Sequence, residues 1–64
     1  MNTEILYEEI VEELKKVTPD YAEQIASNIL IDVKADIEET ADEEYNTADV
    51  RLAIGRTLLK HSND

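Results

Sequence analysis

Apolar residues recur along this chain at intervals of three and four, the period of a helix that buries one side. Placed at 100° per residue, Leu6, Tyr7, Ile10, Val11, Leu14 and Val17 fall within about 140° of one another, and Glu4, Glu8, Glu9, Glu12, Glu13, Lys15 and Lys16 fill the rest of the circle. This predicts an amphipathic helix over residues 3–17, capped by Asn2 or Thr3. Thr18, Pro19 and Asp20 then read as the start of a second helix: the Thr hydroxyl can cap free amides, Pro suits a first turn, and Asp complements the helix dipole. That helix is expected over residues 19–41. Its buried stripe is Ala22, Ile25, Ala26, Ile29, Leu30, Val33 and Ile37, with Ile31 on the opposite side among Gln24, Ser27 and Glu38.

The run Asp42-Glu43-Glu44-Tyr45-Asn46 breaks the period and reads as a loop. Thr47, followed by Ala48 and Asp49, reads as the cap of a third helix over residues 47–60. This helix is apolar on two sides. Val50, Ala53, Ile54 and Leu58 make one stripe; Leu52 and Leu59 lie almost opposite, flanked by Ala48 and Gly55. A helix apolar on two sides is either sandwiched or shared with a partner, and a three-helix domain has little room to sandwich one. The expectation is an all-α, compact three-helix domain that self-associates as a homodimer through Leu52, Gly55 and Leu59 of the third helix, with Ile31 as a further apolar contact. A glycine in a helix interior costs about 1 kcal/mol against alanine, so Gly55 suggests that another backbone comes close there.

Length sharpens this expectation. The chain has 64 residues, enough for one domain, and one of this size buries only about 60% of the surface its unfolded chain exposes. With no Cys it has no disulfide to staple it, and thiolate-based zinc frameworks are excluded. The composition fits a reducing cytoplasm or a chain indifferent to redox. Residues 1–13 carry five Glu and no basic residue, the reverse of a targeting peptide, and no apolar run approaches the roughly 18 residues of a membrane span. Cytoplasmic localisation is expected.

Charge changes the functional picture more than any motif. The formal net charge is -10, and it is unevenly spread. Residues 1–46 hold 14 acids and three bases, 3 - 14 = -11, whereas residues 47–64 hold three bases and two acids, 3 - 2 = +1. Such a field repels nucleic acid and anionic membrane and speeds encounter with basic surfaces. Glu4, Glu8 and Glu12 repeat at i, i+4, about 6 Å apart along one helix edge, and like charges so placed weaken an isolated helix slightly. A row of that kind can imitate the phosphates of a nucleic-acid strand. Asp36, Glu38, Glu39, Asp42, Glu43 and Glu44 would extend the surface if the end of the second helix folds beside it. A solvated helix face that serves only solubility accounts for the same residues.

Enzymatic and metal chemistry finds little footing. His61 is the only His and sits near the end of the last helix, where a C-terminal cation or a solvent residue explains it. Ser27 and Ser62 lack a nucleophile-elbow setting, and a single Gly excludes a phosphate loop. A calcium loop begun at Asp36 fails because Ala41 stands where the turn Gly belongs and Thr47 where the bidentate Glu belongs. A carrier of a phosphopantetheine arm fits the acidity, but Ser27 lies between Ala26 and Asn28 in mid-helix rather than at an Asp-Ser-Leu helix start. No catalytic residue, metal ligand or cofactor is expected.

The stretch from Tyr45 through Asn46-Thr47-Ala48-Asp49 to Leu59 resembles the C-terminal segment of short hypothetical proteins carried by bacteriophages and prophages. It covers 15 of the 64 residues and holds no functional motif, so it implies a setting and no residue roles. Small acidic phage proteins often resemble inhibitors of host DNA-binding enzymes, nucleic-acid mimics among them, which would place this chain in the host cytoplasm. Two functions are therefore expected: an inhibitor whose acidic face occupies a basic, nucleic-acid-binding protein, or a structural or accessory homodimer.

Overall fold

The computed structural model describes residues 2–41 and 44–62. It contains three helices, α1 (Thr3–Lys15), α2 (Ala22–Thr40) and α3 (Thr47–Ser62), and no strand among the described residues. None of these helices is long and apolar enough to cross a membrane.

Asn2, rather than Thr3, caps α1. Its side-chain oxygen accepts from the Ile5 amide at 3.2 Å, and its carbonyl accepts from Leu6 at 3.0 Å. At the other end the amides of Val17 and Thr18 both donate to the carbonyl of Leu14, at 3.0 and 2.7 Å, so the chain has left the helix by Val17. Expected in the buried stripe, Val17 is instead 83% exposed. A 100° projection applies only while the backbone stays helical.

The expected start of α2 at Pro19 is also corrected. Thr18 to Tyr21 form a turn closed by the Tyr21 amide on the Thr18 carbonyl at 3.2 Å, and the first helical bond runs from Ile25 to Tyr21 at 2.9 Å. Tyr21 has φ -118°, ψ 7°, outside the helical region, and makes no side-chain cap. The fixed φ of Pro19 suits the second position of such a turn as well as it suits a first helical turn, and here the turn wins. At its C-terminus α2 ends where Ala41 becomes extended (φ -127°, ψ 152°).

The α3 start carries a reciprocal cap: the Asp49 amide donates to Asn46 Oδ1 at 3.0 Å and the Asn46 amide donates to Asp49 Oδ2 at 2.9 Å. Asn46 is thus the cap that was expected of Thr47, and Asp49 plays the part usually given to Glu in a capping box. Thr47 is the first helical residue.

Cross-helix contacts give the topology. Tyr7 of α1 donates to the carbonyl of Glu23 at 3.4 Å, and Lys34, later in α2, donates to Thr3 at 3.3 Å, so α1 and α2 run antiparallel. Asp36 meets Arg56 and Asp32 meets His61, which makes α2 and α3 antiparallel as well. The end of α1 meets the first turns of α3 through Glu13 and Arg51. Between them lies one core, built from Leu6, Ile10, Val11 and Leu14 of α1, Ala22, Ala26, Ile29, Val33 and Ile37 of α2, and Val50, Ala53 and Ile54 of α3. The two core alanines of α2 and Ala53 keep the helices close, and the larger side chains fill the space on either side. Ile25 and Leu30 are half-buried at the edges, Leu58 is exposed, and Thr57 takes the interior position beside Ile54 instead.

Candidate functional site

The acidic residues of this protein divide into two sets. Those of the first set are tied up by the fold. Asp36, expected on a free acidic surface, is gripped by Arg56 across the α2–α3 seam: Nη2 donates to Oδ1 at 2.6 Å, and Nε donates to Oδ2 at 3.0 Å. This two-pronged contact, with burial acting the other way, holds the Asp36 carboxyl below its ordinary range. Glu13 accepts from Lys16 at 2.9 Å and from Arg51, and those hydrogen bonds likewise lower its pKa. Asp32 pairs with His61 at 2.8 Å, and both side chains stay half-exposed, so the single His is a solvent-facing residue with one partner across α2 and α3.

In the second set, Glu4, Glu8 and Glu12 stand exposed along the outer side of α1, and no hydrogen bond or ion pair among the described residues engages them. Two further carboxylates that no linear spacing pointed to join them. Glu9 lies one turn beyond Ile5, and Glu23, at the start of α2, borders the same open depression as Glu8 and Glu12. Ile5 is 50% exposed in the midst of these side chains. The site is therefore an apolar spot bordered by Glu8, Glu9, Glu12, Glu13 and Glu23, with Lys15 on the same rim and Glu4 one turn before Glu8. Glu9 also lies beside Tyr45, whose phenol is pushed above its usual range by burial and then by the Glu9 charge.

The acidic end of α2 is not a simple extension of that face. Glu38 and Glu39 are exposed, but Glu39 borders the α2–α3 seam together with Asp36, Arg56 and Lys60. Glu4 and Glu8, by contrast, border the α1–α2 side next to Leu30. Glu44 is exposed in the connection to α3. Asp42 and Glu43 lie outside the described residues.

The expected self-association residues are also located. Leu52 and Leu59 are 59% and 64% exposed on the outer side of α3, with Gly55 between them. The close backbone approach expected at Gly55 is not made by this chain, because a Cβ built there meets nothing within 4 Å. Ile31 is 80% exposed, but on the outer face of α2, and so it is not part of the α3 stripe.

Among the described residues no group of three or more His, Asp or Glu side chains is placed to hold a metal ion. No buried side-chain nitrogen or oxygen among them is left without a hydrogen-bond partner. The arrangement thus offers charge, shape and one apolar anchor for binding. Comparison with protein-family models, with curated proteins and with solved structures finds no match to this chain.

Proposed function

We propose that this protein is a non-enzymatic acidic binding module that docks the outer face of α1 against a basic, nucleic-acid-binding protein. In this reading it is an inhibitor or regulator that acts in the cytoplasm, the host cytoplasm if a phage encodes it. The observation that carries the reading is that Glu4, Glu8 and Glu12 stand exposed in one row and unpaired among the described residues. Arg51, Arg56, Lys16 and His61, meanwhile, are engaged by Glu13, Asp36 and Asp32. Of the remaining cations, Lys15 borders the depression beside the row and Lys34 bonds to Thr3. The carboxylates of the row follow one another about every 6 Å, a spacing that Lys and Arg side chains lining a phosphate-binding groove can meet. Ile5 supplies what charge alone lacks, an apolar anchor that a partner pocket can desolvate.

The test is retention of bacterial lysate proteins on the tagged chain, at low and then high salt, beside a Glu4→Lys/Glu8→Lys/Glu12→Lys variant whose helix content is checked by circular dichroism. A nucleic-acid-binding protein held by the wild type, released by salt and lost by the variant supports the reading, since exposed charge contacts weaken as salt rises. Equal retention by both forms overturns it. A second reading, a structural or accessory homodimer whose acidity serves solubility, is favoured by the exposed apolar stripe of α3.

A further inference from the structure

The outer side of α3 carries Ala48, Leu52, Gly55 and Leu59, spaced by four, three and four residues, and all are exposed. This is the interval at which apolar positions keep one seam turned towards a neighbouring helix over successive turns. The seam points away from the core formed by Val50, Ala53 and Ile54 of the same helix. Over Gly55 there is open space.

We propose that this seam is the contact surface for a second copy of the chain, with the two α3 helices crossing antiparallel about a two-fold axis at Gly55. Three features select that occupant. First, the seam is close to symmetric about the glycine, with Leu52 three residues before it and Leu59 four after. A two-fold contact needs a surface complementary to itself, and an antiparallel crossing at Gly55 sets Leu52 of each copy beside Leu59 of the other. Second, the glycine falls at the point of closest approach, where the missing Cβ lets two backbones come together. That gives a physical reason for a residue that weakens the helix in isolation and has no neighbour within its own chain.

Third, charge disfavours strongly charged occupants of other kinds. Residues 47–62 hold three bases and one acid, 3 - 1 = +2, against -11 for residues 1–46. A basic partner is drawn to α1 rather than here, while nucleic acid and anionic lipid are repelled by the molecule as a whole; two copies share that net repulsion, which an approach through the α3 side makes least. Two copies meeting through α3 turn their acidic α1 faces away from the contact. On one flank of the crossing, Asp49 of each copy approaches Lys60 of the other. The proposal goes beyond the acidic binding face and stands whether or not that face has a basic partner.

The experiment is sedimentation equilibrium of the full chain over a wide concentration range, on the wild type, Gly55→Gln, and Leu52→Gln/Leu59→Gln. The wild type is expected to approach twice its 7.3 kDa chain mass as concentration rises. Gly55→Gln puts a long side chain at the crossing point, where the monomer has room for it. It should stay helical, melt higher than the wild type at dilutions where both are single chains, and dimerise at least about tenfold more weakly. Leu52→Gln/Leu59→Gln should sediment as a folded single chain. Because the chain has no Cys, mixed Leu52→Cys and Leu59→Cys chains report the direction of crossing: 52-to-59 disulfides should exceed 52-to-52 and 59-to-59. A wild type that stays at one chain mass throughout overturns the proposal. So does a dimer that neither variant weakens, or a preference for like-to-like disulfides.

Discussion

On the outer face of α1, Glu4, Glu8 and Glu12 project into solvent in a row around Ile5; on the outer face of α3, Leu52 and Leu59 do so on either side of a glycine. Both helices bury an apolar stripe in the same core, so packing treats them alike, yet the sides left over have opposite chemistry. The α1 face suits a charged, salt-sensitive encounter. The α3 face suits a dry contact between helices. What differs is the local supply of counter-charge: α3 carries Arg51, Arg56 and Lys60, and two of these are spent on Glu13 and Asp36 of the neighbouring helices. A core argument alone would treat both outer faces as inert, and variants can separate them.

The largest effect comes from the side that both helices share. Ile10→Ala removes a fully buried side chain and should cost about 2–5 kcal/mol in chemical denaturation, a large part of the stability of a domain this small. If it costs far less, α1 is not docked on the core and its outer face is not defined. Next comes Asn46→Ala, which breaks the reciprocal cap with Asp49 and should cost about 1 kcal/mol, read as a lower melting temperature. Gly55→Ala should stabilise the single chain by about 1 kcal/mol at high dilution, because the added methyl meets open space. A destabilised single chain would mean that the outer side of α3 is not open.

Acid should reveal the paired carboxylates. Glu13 and Asp36 have folded pKa values below their ordinary values of 4.5 and 3.8. Their contribution is therefore fully present above those ordinary values and is lost as pH falls through the lower folded values. Denaturation midpoints measured from pH 6 down to pH 3 should show this loss in the wild type. It should be blunted in Arg51→Gln/Arg56→Gln, and the effect should be small because the partners are exposed. Smallest of all, Leu52→Gln/Leu59→Gln should leave single-chain stability within about 0.5 kcal/mol, as expected for positions outside the core.

Much of this architecture was legible in the residues. The three-and-four spacing in α1, α2 and α3 identifies most of the inner faces, and Leu52, Leu59 and Ile31 stand outside as that spacing requires; Val17 and Leu58 are exposed against it, and Thr57 is buried. Where reading failed, two local solutions competed. Pro19 suits both a helix start and a turn, and the backbone bond from Tyr21 to Thr18 shows which formed. Asn46 and Thr47 are both able caps, and Asp49 decides between them only through a pair of reciprocal bonds. Other features lay beyond local reading. Asp36 and Arg56 are 20 positions apart, and their meeting depends on how α2 and α3 are set against one another. The same holds for Glu23, which reaches the α1 face only because α2 folds back beside it.

The contacts from Arg51 to Glu13 and from Arg56 to Asp36 make α3 the internal counter-ion of the rest of the molecule. Without α3, residues 1–46 carry a charge of -11 and have neither the third wall of the core nor the guanidinium groups that answer Glu13 and Asp36. The α1–α2 pair then opposes its own charge unaided. Helix α3 therefore supports the rest of the fold in two ways at once, by apolar burial and by a charge balance that added salt weakens.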